Sequence, residues 1–170
     1  MTAWSPQIAN EFIRRAAAEG RTLTQMQLQK LVYIAHGWKL AITGHPLTED
    51  SPQAWDYGPV YKELRRALRS YGRQGVDREI RNCEYVPGVF EEDENAPANA
   101  QLDSADAELI DRIYREYGGY HAFQLSALTH RDGTPWTRIY DNGRGKFEEI
   151  PAPVIRAHFI ELSQNNRADA

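Results

Sequence analysis

The chain is short of everything that would tie it together covalently or through a metal. Among its 170 residues there is one cysteine, Cys83. That excludes an internal disulfide and a cysteine-built zinc cluster. The five histidines, His36, His45, His121, His130 and His158, are scattered. None forms an H-x-x-x-H pair or joins a spaced Cys/His set, so no metal or other cofactor is expected. No apolar run approaches the roughly 18 residues that cross a bilayer. Near the N-terminus, Pro6, Asn10, Glu11 and Arg14 interrupt any signal-peptide core. A cytoplasmic protein without a membrane partner is the expectation. A basic excess is missing too: 20 Lys and Arg against 24 Asp and Glu leave a net charge of −4. That argues against nucleic acid as a partner. There is no internal repeat.

What is present is a 41% apolar composition, enough for one compact domain. Ser5 and Pro6 read as N-cap and first helical residue, with Ile8, Phe12 and Ala16 following at helical spacing. Thr24 and Gln27 form a capping box for a second helix. Its stripe is Leu28, Leu31, Val32, Ala35, Trp38 and Ile42, flanked by Ile34 and Ala41, which predicts a central helix ending at Gly44. Ala54 to Tyr57 reads as a short strand. Gly58 and Pro59 then read as a sharp turn opening a third helix over 59–71, with Val60, Leu64, Ala67, Leu68 and Tyr71 on one face.

Residues 73–103 have little periodicity and carry Glu91, Glu92, Asp93 and Glu94. They predict a long acidic connection, the segment best suited to mobility or insertion, with a short strand near Tyr85 to Phe90. Ser104 caps a fourth helix with Leu109, Ile110, Ile113, Tyr114 and Tyr117. A short helix over 122–129 follows, with Phe123, Leu125 and Leu128 as its apolar residues. Thr134 and Pro135 start another short turn, and Pro153 opens the last helix with Val154, Ile155, His158, Phe159 and Leu162. The expectation is a mainly α, compact single domain over 1–164, with six to seven helices, a few short β-strands, and a polar, frayed tail.

No catalytic constellation stands out. Ser126 and Thr129 lie near His130 and Asp132, but triads are assembled in space and there is no G-x-S-x-G elbow. Thr129, His130, Asp132 and Gly133 read more simply as a turn bonding its own backbone. Gly143, Arg144, Gly145 and Lys146 form a basic turn without Walker spacing, read as a solvated loop or as a contact for an anionic partner. An enzyme is not expected. Charge is unevenly spread. Residues 62–81 carry seven basic and three acidic residues, whereas 84–116 carry ten acidic and two basic ones. Lys62, Arg65, Arg66 and Arg69 lie opposite the apolar face of the third helix, either as a solvated face or as a docking surface for an acidic or nucleic-acid partner. Four tryptophans and nine tyrosines mostly suit core packing. Those near turns, Trp55, Tyr57, Tyr120 and Trp136, are the better interface candidates.

The runs LQKLVYIAHGWKLAITGHPL (28–47) and AWDYGPVYKELRRALRSYG (54–72) resemble the Panacea domain, the SocA-like, phage-associated GepA-like family of antitoxins. LSALTHRDGTPWTRIY (125–140) and IPAPVIRAHF (150–159) resemble its later motifs, so the likeness covers roughly residues 5–160. The resemblance implies a mainly α domain that neutralises a cognate protein toxin by direct binding. Delivery of the toxin to a protease, or binding of a host factor by a phage-associated protein, are the alternatives. A small hydrolase or nuclease acting through His130 and Asp132 is a further one. The predicted toxin interface is Trp55, Tyr57, Lys62, Arg65, Arg66, Arg69, His130, Arg131 and Trp136, on the idea that the 54–61 corner, the third helix and the 129–136 turn lie together. Trp55, Tyr57 and Trp136 are equally open to a purely architectural reading.

Overall fold

The computed structural model describes residues 3–85 and 93–168. Those residues form seven α-helices and four short strands, a mainly α fold. The order is α1 (Ser5–Ala18), β1 (Leu23–Thr24), α2 (Gln25–Thr43), β2 (Gln53–Trp55), β3 (Gly58–Val60), α3 (Lys62–Leu68), β4 (Gly75–Val76), α4 (Ser104–Tyr117), α5 (Ala122–His130), α6 (Pro135–Tyr140) and α7 (Ala152–Ala168). No helix among the described residues is long and apolar enough to cross a membrane.

The central element is α2, which packs against α1, α3, α4, α5 and α7. Its start follows the sequence: Thr24 Oγ1 accepts from Gln27 N at 3.3 Å, and Thr24 N donates to Gln27 Oε1 at 2.8 Å. Such reciprocal bonds satisfy helix-end donors that would otherwise be orphaned. Leu28, Leu31, Val32, Tyr33, Ile34, Ala35 and Leu40 are all buried. Gly37 permits the close approach of α7, because a Cβ there would lie 2.2 Å from the Phe159 ring. Ile42, part of the predicted stripe, is instead 64% exposed. In the same last turn Leu40 is buried and its carbonyl accepts from Arg156 of α7, so the packed face there is narrower than the apolar stripe.

His36 fixes the loop after α2. Its Nδ1 accepts from the backbone N–H of Leu47 at 3.2 Å and of Thr48 at 3.4 Å. Burial pushes its pKa down to about 4, so the ring is held neutral. Three helix starts differ from expectation by one residue, the last helix opening at Ala152 rather than Pro153. Trp4 and Asp103 occupy the N-cap positions, and Ser5 and Ser104 are the first helical residues. Ser5 instead anchors the loop before β2, where its N–H and hydroxyl both donate to the Asp50 carboxylate, at 2.8 and 2.5 Å.

The 73–103 segment is less loose than its composition suggests. Asn10 of α1 accepts from Ile80 N and donates to the carbonyls of Ile80 and Ala98. Val76, Ile80, Tyr85 and Ala98 are buried, and β4 pairs with β1. One buried amide thus ties both limbs of the segment to α1, a link between residues 70 and 88 positions apart. The strand expected near Tyr85 to Phe90 falls largely outside the described residues. At the other end, the tail expected to fray after Gln164 remains helical to Ala168.

Candidate functional site

The Gly58–Pro59 pair does not open a helix. It belongs to a hairpin in which β2 and β3 pair antiparallel, with Ala54 opposite Pro59 and Trp55 opposite Gly58. Helix α3 begins only at Lys62. The physical reason lies across the chain. Ala54 spends its backbone groups on the other side, donating to Glu148 O at 2.8 Å and accepting from Phe147 N at 2.7 Å. Opposite such a residue Pro59 has no ladder bond to make, so its missing N–H costs nothing.

Gly58 has φ +111°, a region L-residues rarely adopt, and a Cβ there would sit 2.8 Å from Lys30 Nζ and 2.9 Å from Thr129 Oγ1. Gly58→Ala should therefore lower stability by about 2 kcal/mol, combining backbone strain with overpacking. Urea unfolding at neutral pH reads this as a lower midpoint with an unchanged slope.

Lys30 and Gln29 join the hairpin to α2. Gln29 bonds both backbone groups of Tyr61, and Lys30 Nζ donates to Pro59 O at 2.9 Å. Lys30 is 1% exposed, and burial lowers its pKa to about 7. The opposite side of the hairpin is held by α5 and α6. Trp136 Nε1 donates to Trp55 O at 2.7 Å, and Ser126 Oγ donates to Tyr57 O at 3.0 Å. Tyr140 and Lys146 donate to the Asp56 carboxylate at 2.6 and 2.9 Å. The bonds from Lys146 and Tyr140 hold the Asp56 pKa below its usual value.

Between the hairpin, the N-terminal turn of α2, the start of α5 and the 146–147 turn lies an open groove of about 740 Å³. Its rings are Trp55, Tyr57, Phe123 and Phe147, and its cations include Arg65, Arg73 and Lys146. Trp55 meets Phe147 edge-on at 4.8 Å, with the Arg65 guanidinium 4.8 Å above the indole. Phe147 has φ +72°, an outlier for a bulky residue, and the strained turn displays its ring 52% exposed.

This hairpin and most of the groove lie inside residues 28–137, which match the family "Antitoxin SocA-like, Panacea domain". The chain belongs to that family. It is also 30% identical over 138 residues to Antitoxin SocA of Caulobacter vibrioides (strain NA1000 / CB15N), covering 81% of this chain and 70% of that protein. No solved structure matches it.

On this Panacea fold the 54–61 corner meets the 129–136 turn through the Trp136–Trp55 bond, and the third helix reaches the corner through Arg65. Trp55, Tyr57 and Arg65 line the groove. Lys62, Arg66 and Arg69 are exposed on and just after α3 but do not line it, and Arg66 also approaches Glu63 at 3.5 Å. Arg131 is exposed at the end of α5. Trp136 is a different matter. It is 7% exposed, packed between His130 at 3.9 Å and Tyr140 at 4.5 Å. Its place is beneath the hairpin, a supporting role rather than a surface one. His130 supports it, with Nδ1 donating to Ser126 O at 2.6 Å.

The groove residues that sequence reasoning misses are Phe123, Phe147, Arg73 and Lys30. The pattern puts Phe123 among the apolar residues of its helix, yet it is 83% exposed. Only the basic 143–146 turn carries a sequence signal for this side of the groove.

Proposed function

We propose that this chain is a binding protein, not an enzyme, which neutralises a cognate toxin by direct contact through the groove beside the 54–61 hairpin. The observation that carries this reading is the gathering of exposed side chains. Of five exposed large hydrophobic residues among those described, Tyr57, Phe123 and Phe147 share one groove, together with Arg65 and Lys146. Clustered aromatics and arginine are the usual anchors of protein interfaces. The relative's name, Antitoxin SocA, supplies the class of partner.

The local chemistry supports a non-catalytic role. His130 Nδ1 carries its proton toward the Ser126 carbonyl, and Ser126 Oγ donates to Tyr57 O. Ser126 Oγ and His130 Nδ1 lie 3.3 Å apart, but the Nδ1 proton and the hydroxyl proton are both directed to carbonyls, so these bonds brace α5 and fasten it to the hairpin.

The test is co-expression with the product of the neighbouring reading frame as the candidate toxin. The wild-type protein should restore growth and retain the toxin on a column, with the amount of toxin protein unchanged. Trp55→Ala combined with Arg65→Glu and Arg66→Glu should weaken retention about tenfold or more. Unchanged retention by that variant, with native circular dichroism, would remove the hairpin face from the interface. Disappearance of the toxin protein itself in the presence of the wild-type chain would make this an adaptor for proteolysis.

A further inference from the structure

We propose that the groove receives an acidic segment of the protein partner, its carboxylates answering the groove's cations and its apolar side chains seated among the rings. The inference rests on the antitoxin reading and adds the chemistry of what is bound.

Charge complementarity points to such an occupant. Among the described residues, Lys30, Arg65, Arg73 and Lys146 line the groove against a single carboxylate, Asp56. That carboxylate already accepts from Tyr140 and Lys146. The groove is therefore short of anions. Arg65 and Arg73 are exposed, and a guanidinium stacked on a ring, as Arg65 is on Trp55, keeps its N–H edge free for a carboxylate.

Lys30 points the same way independently. It is buried at the groove floor, and its one hydrogen bond among the described residues is to Pro59 O. An ammonium has three donors. Burial disfavours the charged form of Lys30, and an anion brought from outside would supply the counter-charge that favours protonation and uses the spare donors.

A peptide fits better than a nucleic acid. The chain as a whole carries −4, and residues 84–116 hold ten acids against two arginines. A long polyanion meets that repulsion, whereas a short segment meets only the local field. Trp55 and Phe147 stand edge to face at 75°, unlike the open stacking platforms that bind single strands.

Fluorescence anisotropy on the full chain tests this with three labelled probes: the peptide Gly-Glu-Leu-Glu-Phe-Glu-Leu-Gly amide, its Gln-for-Glu counterpart, and an oligo-dT. The Glu peptide should bind about tenfold more tightly than the Gln peptide and weaken as salt is raised. Phe123→Ala and Arg73→Glu alter exposed side chains, so the fold should be retained, and each should weaken binding about tenfold. Equal affinity for the two peptides, no effect of either substitution, or tighter binding of oligo-dT would overturn the acidic-peptide assignment. The toxin column separates the two ideas. Toxin retained with no preference for Glu rejects the acidic occupant alone. A Glu preference with no toxin retained supports the groove's chemistry and rejects the antitoxin reading.

Discussion

Trp136→Ala should lower the unfolding free energy by about 3–5 kcal/mol, the range for truncating a large buried aromatic. Trp136 is packed between the His130 and Tyr140 rings, the latter nearly parallel at 16°. Removing it opens a cavity under the hairpin and strips Trp55 O of its 2.7 Å donor. Trp136→Phe separates the two contributions: it keeps much of the packing, loses the bond, and should cost about 1–2 kcal/mol from that bond. Urea and thermal unfolding of both variants read the difference. A midpoint unchanged in Trp136→Ala would show that the indole does not support the fold. Because Trp136 is buried, its loss should affect the proposed toxin contact only through the position of the hairpin.

Acid should destabilise the protein through His36. Its folded pKa is about 4 against the ordinary 6.5, so the unfolded chain takes the proton first. The stability this provides is present above pH 6.5 and is lost as pH falls toward 4, by roughly 3 kcal/mol in full. The geometry explains the direction: protonating Nδ1 turns an acceptor of two backbone N–H groups into a competing donor. Asp50, whose pKa is raised by burial, works in the opposite sense in the acid range, so the wild-type curve alone mixes the two. Comparing urea midpoints at pH 7 and pH 4.5 for wild type and His36→Gln isolates the histidine. The wild type should lose clearly more stability than the variant; parallel losses would exclude His36 as the acid-sensitive group. Lys30 acts in a separate window. Its folded pKa of about 7 lies below the ordinary 10.5, so its contribution rises with pH between those values and leaves the acid limb untouched.

The groove is assembled from parts of very different legibility. Trp55, Tyr57 and Arg65 are readable because aromatics beside a turn and a basic helix face are local patterns. Phe123 is not, because an apolar residue in a short helix reads as core unless its neighbours are known. Here α5 buries Leu125 and Thr129 and turns Phe123 outward. Trp136 misleads for the converse reason: a ring next to a Thr-Pro helix start looks superficial until a hairpin from far upstream is laid over it.

Composition, spacing and caps by themselves determined the mainly α class, the central α2 with its Thr24–Gln27 box, the Thr134–Pro135 start and the family motifs, because each depends on residues within a few turns of one another. Tertiary structure alone decided that Gly58–Pro59 is strand rather than helix. It also decided that Asn10 anchors the acidic segment, and that rings and cations from separate stretches converge on one groove. Those outcomes turn on partners 70 or more positions apart, such as Asn10 with Ile80 and Trp136 with Trp55. Hydrogen bonds over such separations leave no periodicity in the chain, so only the packed fold reveals them.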